Sequence, residues 1–251
     1  IRTIGLRNRI LRYYRETKDE EIKEVLAYIK QHPEEKLPME ASPPYDYKMK
    51  YLNEKDKIEV HHEQGYPYVI LNNHKIFFPN DMTEDDVKHA VTVALIEQDD
   101  NSPHQYLTKE FDINEGDTIV TIGASNGIFC LSLIDRAKKA YLFEADERWI
   151  APLSLTVSPW GNKAEIVKRF VGDKDVGQMI SLDSFFADKE DCINYLQADV
   201  EGAEEKLLQG ARNTLLKNDL KMSICCYHKA TAQRDLTTML NSLGYKAMYS
   251  R

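Results

Sequence analysis

No stretch of the 251 residues is both long and apolar enough to cross a bilayer, and no charged-then-apolar segment opens the chain. A membrane partner and signal-led export are therefore not expected, and the expected location is the cytoplasm. The chain starts on Ile1 rather than Met, which points to residues lost or unseen ahead of it. Positive charge is also short: 33 Lys and Arg stand against 41 Asp and Glu, a net charge of −8. Neutralising a phosphate backbone needs clustered Lys and Arg, so no nucleic-acid partner is expected. The four cysteines, Cys130, Cys192, Cys225 and Cys226, make no CxxC pair and no metal-ligand spacing. All lie in apolar runs, which predicts buried reduced thiols and no metal site. No repeat or low-complexity segment is present.

What remains is ordinary soluble-protein composition, 42% hydrophobic and 29% charged, in a chain long enough to bury a sizeable core. The first stretch is helical in character: Ile22, Val25, Leu26 and Ile29 recur at helical spacing among Glu and Lys. Pro33 and Pro38 end it, and Pro43-Pro44 marks a linker. Two β-rich runs, Tyr66 to Leu71 and His74 to Phe78, flank Asn72-Asn73. Asn tolerates positive φ, so this reads as a hairpin. Thr83 then caps an amphipathic helix through Val87, Val91, Ala94 and Leu95, with Asp86 completing the cap.

From Asp117 onward the pattern alternates strand and helix. Strands are predicted at Thr118–Ile122, Ala140–Phe143, Glu165–Val171, Ile193–Ala198, Met222–Tyr227 and Tyr245–Tyr249. Such alternation means a parallel sheet covered by helices on both faces. A helix carrying Leu236, Met239, Leu240 and Leu243 precedes the last strand.

Between the first strand and its helix lies Gly123-Ala124-Ser125-Asn126-Gly127. Its glycines let backbone approach a ligand closely, and the helix N-terminus offers amides to a negative group. Glu144, at the tip of the second strand, follows about 20 residues later, where an acid can bond a ribose diol. The simpler alternative is a tight turn beside a surface carboxylate. A dinucleotide loop would carry a third glycine where Ser125 stands, and the spacing suits an amino-acid moiety, which favours S-adenosylmethionine over NAD.

Gly123-Ala-Ser-Asn-Gly-Ile-Phe129, Phe143-Glu-Ala-Asp146, Ser181-Leu-Asp183 and Asp199-Val-Glu-Gly-Ala-Glu204 resemble the FkbM family of methyltransferases, in order and spacing over roughly residues 97 to 245. The resemblance implies a class I methyltransferase fold, a Rossmann-like parallel sheet with helices on both faces. It also implies S-adenosylmethionine as cofactor and O-methylation of a hydroxyl on a sugar, polysaccharide or secondary metabolite. The chain departs from the family pattern at Thr121, where an acid on the first strand usually helps anchor the methionine end of the cofactor. It departs again at Ala145, which replaces proline. Residues 1–96 form an N-terminal helical and β-hairpin extension in this reading, and 97–251 the methyltransferase domain. Such a sheet closes with one more antiparallel strand, whose sequence is not found here.

The cofactor residues are then Gly123, Ala124, Ser125, Gly127 and Glu144, with Asp173 after the third strand as an adenine contact or an ordinary turn residue. Methyl transfer to a hydroxyl requires proton removal. Asp199, at the end of the fourth strand, is the first candidate base, with His228 and Glu201 beside it. These three would suit a divalent ion if they converged, although their spacing is no known metal signature. Glu204 reads as a helix N-terminal acid and Gly210 as that helix's stop. His104 lines the cleft or anchors its loop; His61-His62 reads as strand surface; Trp149 and Trp160 read as packing. The rival readings are a non-catalytic methyltransferase-like scaffold, favoured by Thr121, and an NAD-linked oxidoreductase. The acceptor and the oligomeric state stay open.

Overall fold

The computed structural model describes residues 2–33 and 46–250. It begins with helices α1 (Arg2–Tyr13) and α2 (Glu20–Gln31). Asp19 caps α2 by accepting from the Ile22 amide, and the helical register of Leu26 and Ile29 buries both. Arg7 of α1 reaches the far end of α2 and donates to the Ile29 and His32 carbonyls, groups the helix itself leaves unpaired. The expected breaks at Pro38 and Pro43-Pro44 lie outside the described residues. Helix α3 (Asp46–Glu54) follows.

A three-stranded antiparallel sheet comes next, in the order β1 (His61–Glu63), β2 (Tyr66–Leu71), β3 (His74–Phe77). Asn72 and Asn73 both have positive φ (49° and 66°), as a two-residue hairpin turn requires. Gln64-Gly65 turns the same way between β1 and β2. His62 is exposed on β1. Thr83 and Asp86 form a reciprocal capping box at the start of α4 (Glu84–Glu97). This sheet and α4 share a core with the rest of the chain: Val69, Ile76, Phe78, Val87 and Val91 pack with Ile119, Leu133, Leu153 and Val157. The Phe77 amide donates to Thr156 Oγ1 at 2.9 Å, tying the hairpin to the later helix Glu147–Val157.

The main sheet is built from β4 (Thr118–Ile122), β5 (Lys139–Phe143), β6 (Ala164–Val167), β9 (Tyr195–Ala198) and β10 (Lys221–Ile224). All its pairings are parallel, in the order β10-β9-β4-β5-β6. Every residue of β4 is buried, because helices cover both faces. One face meets α5 (Ile128–Ile134) and α6 (Glu147–Val157) with the hairpin. The other meets α7 (Leu182–Phe185), α8 (Glu204–Gln209), α9 (Arg212–Lys217) and α10 (Ala232–Ser242). The chain runs outward from β4 in both directions, so β4 and β9 diverge at a switch point where their carboxyl ends open a crevice.

Two expectations need correction. The third strand is not continuous: β6 stops at Val167, and β7 (Phe170–Val171) pairs instead with β8 (Met179–Ile180) in a separate two-stranded ribbon. No strand forms at Tyr245–Tyr249. That segment and β10 line the same cavity of about 1180 Å³, and among the described residues the segment pairs with no strand. Tyr245 instead donates to the Leu215 and Asn218 carbonyls. Gly210 does stop α8, as expected, with φ −83° rather than a left-handed conformation. It is needed because a Cβ there would lie 1.9 Å from the Gly172 carbonyl oxygen.

Candidate active site

The loop after β4 is set by backbone geometry. Gly123 (φ +80°) and Gly127 (φ +75°) are left-handed, and Ser125 (φ +45°) sits between them. A Cβ on Gly123 would lie 2.3 Å from the Asp199 carbonyl oxygen, so only glycine lets the ends of β4 and β9 approach this closely. The amides of Gly123 and Ala124 both donate to the Phe143 carbonyl, at 3.0 and 3.1 Å. Ala124, within the loop, is buried. Gly127 caps α5, and α5 buries Cys130, Leu131, Leu133 and Ile134.

Glu144 stands at the end of β5 facing this loop. Its Oε2 accepts from the Ser125 amide at 2.8 Å, and its Oε1 accepts from the Ala145 and Asp146 amides, each at 2.8 Å. The loop and the acid are therefore joined. Three of the carboxylate's four lone-pair directions are occupied, which leaves one on Oε2 for a further hydroxyl. Asp173 is not drawn in. It is exposed on the turn after β7, and among the described residues its side chain makes no hydrogen bond or ion pair.

Across the switch point, Asp199 follows β9, with its amide donating to Ile122 at 3.2 Å. Its Oδ2 accepts from the Tyr106 and Tyr227 hydroxyls at 3.2 and 3.4 Å. Its buried Oδ1 has no hydrogen-bond partner and lies 3.4 Å from His228 Nε2. His228 is 10% exposed, and its Nδ1 lies 2.8 Å from Glu204 Oε1, a carboxylate only 3% exposed. Glu204 Oε1 also accepts from the Gly202 amide at 3.2 Å. Glu204 thus does more than open α8. It fixes the imidazole so that Nε2 faces the cleft between Asp199 and Glu201. Glu201, with Oε2 3.5 Å from that nitrogen, is 88% exposed and held at φ +51°. Asp199, His228 and Glu201 therefore converge, Glu201 at the solvent rim.

His104 completes the wall. Its Nε2 is 3.0 Å from the Tyr227 hydroxyl and 3.7 Å from both Asp199 Oδ2 and Cys225 Sγ, while its buried Nδ1 has no partner. Burial first, then the neighbouring Cys225 and Asp199, raises the Tyr106 and Tyr227 hydroxyls above the ordinary tyrosine range, so both stay protonated as donors. Burial and Asp199 likewise hold Cys225 as a thiol. Donor atoms of Asp199, Glu204 and His228 lie within 4.8 Å of one another, as do those of His104, Asp199 and Cys225.

Tyr106, Tyr227, Cys225 and the Glu204–His228 pair were not read from the sequence. The one available signal was Ser102-Pro-His-Gln-Tyr106, whose alternate residues His104 and Tyr106 share a face. Two other expectations resolve simply. Cys192 is exposed rather than buried, just ahead of β9. Trp149 packs on Phe78, and Trp160 donates to Asp135, so neither lines the cleft.

Comparison with known proteins bears on this arrangement. The Methyltransferase FkbM domain family matches residues 83–247. None of the curated proteins matches the chain. Among solved structures, a methyltransferase FkbM from Methylobacillus flagellatus KT is 19% identical, with a TM-score of 0.49 over 62% of this chain. The chain spans 48% of that longer protein. TrmK of M. capricolum, solved with S-adenosyl-homocysteine, is 19% identical over 51% of this chain and 54% of its own, with a TM-score of 0.34. An rRNA methylase from Streptococcus thermophilus is 16% identical over 49% and 70%, with a TM-score of 0.37. No helix among the described residues is long and apolar enough to cross a membrane. With a domain match covering most of the chain and a parallel sheet whose switch point carries the loop, the acid and Asp199, the chain belongs to the FkbM methyltransferase domain family.

Proposed function

We propose that this protein is an S-adenosylmethionine-dependent O-methyltransferase that acts on a hydroxyl of a sugar, polysaccharide or secondary metabolite. The observation that carries the reading is the cradle at the β4–β9 switch point. There the backbone of Gly123, which no side chain could replace, lies against Asp199, and the loop is tied to Glu144. The residues fit the cofactor. The open lone pair of Glu144 Oε2 can accept a ribose hydroxyl, the glycine loop allows close backbone approach, and Asp199 and His104 each keep a buried polar atom without a hydrogen-bond partner.

S-adenosylmethionine, when bound, supplies a methyl carbon already activated by its sulfonium leaving group. The protein's own work is then alignment and proton removal. Asp199 and His228 Nε2 lie side by side and can take the proton of an acceptor hydroxyl seated between them. Glu204 acts as a positioning residue: an N–H at Nδ1 donates to its carboxylate, which leaves the Nε2 lone pair free to accept. Protonated Tyr106 and Tyr227 hold Asp199 Oδ2, so that Oδ1 is the free acceptor.

Calorimetric titration with S-adenosylhomocysteine, with NAD as control, tests the cofactor assignment. Micromolar binding of the first and none of the second is expected. Asp199→Asn should then keep that affinity and lose methyl transfer to a hydroxylated acceptor. A folded protein that binds neither ligand would refute the reading and favour the scaffold role that uncharged Thr121 suggests.

A further inference from the structure

Resting on the S-adenosylmethionine reading, we propose that Glu97 holds the α-amino group of the cofactor's methionine moiety. Thr121 is uncharged and almost fully buried in β4. Its neighbours across the sheet are Gln197 and, beyond it, Ser223. Paired residues of parallel strands share a face, and Ser223 Oγ on that face donates to the Tyr106 carbonyl at 2.6 Å. Position 121 therefore looks toward the wall built by the segment that follows α4.

Glu97 is the last residue of α4 and begins that segment. The chain folds back at once: the Tyr106 amide donates to Gln98 Oε1 at 3.2 Å, and Gln98 Nε2 donates to the His104 carbonyl at 3.5 Å. Glu97, His104, Tyr106, Cys225 and Tyr227 consequently line one cavity wall. The Tyr106 ring meets Phe129, in the first turn of α5, edge-on at 4.8 Å. That contact sets the wall beside the first turn of α5, directly after the glycine loop.

Glu97 is badly placed for a carboxylate unless a cation joins it. A helix C-terminus carries partial negative charge, and no basic residue shares the last turn of α4. Among the described residues the Glu97 side chain makes no hydrogen bond or ion pair. Burial first, and then the charge of Asp199, raises its carboxyl above the usual range, with His104 opposing. Among the described residues, the basic side chains in ion-pair range of Asp199 are the imidazoles of His104 and His228. An ammonium group would satisfy Glu97 and relieve its repulsion with Asp199 together, and the amino-acid part of S-adenosylmethionine carries one.

The test compares two ligands that differ by that part alone in Glu97→Gln, a near-isosteric neutral variant. S-adenosylhomocysteine has the amino-acid moiety and 5′-methylthioadenosine lacks it. Calorimetry is expected to show about tenfold weaker S-adenosylhomocysteine binding, as for loss of a charge-assisted hydrogen bond, with 5′-methylthioadenosine affinity unchanged. Equal losses for both ligands, or no loss, would overturn the assignment while leaving the cofactor reading in place. An unaltered protein that binds neither ligand would overturn both. If Glu97→Gln fails to fold, the desamino analogue of S-adenosylhomocysteine is titrated into the unaltered protein. About tenfold weaker binding than the parent is expected, and equal affinity overturns the proposal.

Discussion

Gly123→Ala separates a backbone constraint from ordinary loop packing, and its cost can be worked from the structure. Alanine at φ +80° pays the left-handed penalty of about 1–2 kcal/mol. The new methyl carbon would sit 2.3 Å from the Asp199 carbonyl oxygen, whereas a relaxed carbon–oxygen contact is about 3.3 Å. One strand end must therefore shift by roughly 1 Å, an overpacking cost of about 1–3 kcal/mol. The total is a loss of about 2–5 kcal/mol. Gly116→Ala is the control, because Gly116 has nearly the same φ (+85°) with nothing within 4 Å of the added carbon. It should lose only the backbone part, about 1–2 kcal/mol. Urea unfolding of both variants reads the difference, and calorimetry should find S-adenosylhomocysteine binding lost in Gly123→Ala alone. If the two variants lose equal stability, the close approach of β4 and β9 imposes nothing, and the argument from the cradle fails.

Thr156→Val should cost about 1–3 kcal/mol in the same unfolding assay, because it leaves the buried Phe77 amide without its acceptor. A change below about 0.5 kcal/mol would mean that the hairpin is not fastened to α6 by that bond. Glu204→Gln retains size and hydrogen bonding but can offer its amide to His228 Nδ1, allowing the other tautomer. Turnover should fall by about 100-fold or more with S-adenosylhomocysteine affinity intact, as expected for a misdirected general base. Unchanged turnover would return Glu204 to a helix-capping role. Thiol titration of the native protein at pH 8 should find one fast group, exposed Cys192, abolished by Cys192→Ser. Cys130, whose thiol burial pushes up to about 12, should react only after unfolding. Fast reaction of Cys130 would show that the α5 face is open.

Features encoded within a few residues were legible in advance. Asn72-Asn73 meets the positive-φ demand of its turn locally, and Thr83 with Asp86 satisfies a helix end across three residues. Apolar β4, the glycine loop and α5 form one continuous unit, and Glu144 lies one strand further on. Local spacing misled where a neighbour was decisive. Residues 165–171, with Ile166, Val167, Phe170 and Val171, look like one strand, but β6 ends at Val167 and Phe170–Val171 pairs with another partner. Tyr245–Tyr249 has strand composition, yet among the described residues it pairs with no strand.

The sequence alone determined the alternation of strands and helices, the loop that must be glycine and the acid that faces it, because these follow from periodicity and backbone sterics over short separations. Only the tertiary structure decided the proton-handling half of the site. Parallel pairing of β9 with β4 carries Asp199 to Gly123, α8 and β10 bring Glu204 to His228 across 24 residues, and the segment after α4 delivers His104 and Tyr106 to an aspartate some 90 residues later. Contacts at such separations leave no periodic trace in a chain. They exist because burying both faces of the sheet forces distant strand ends to open at one edge.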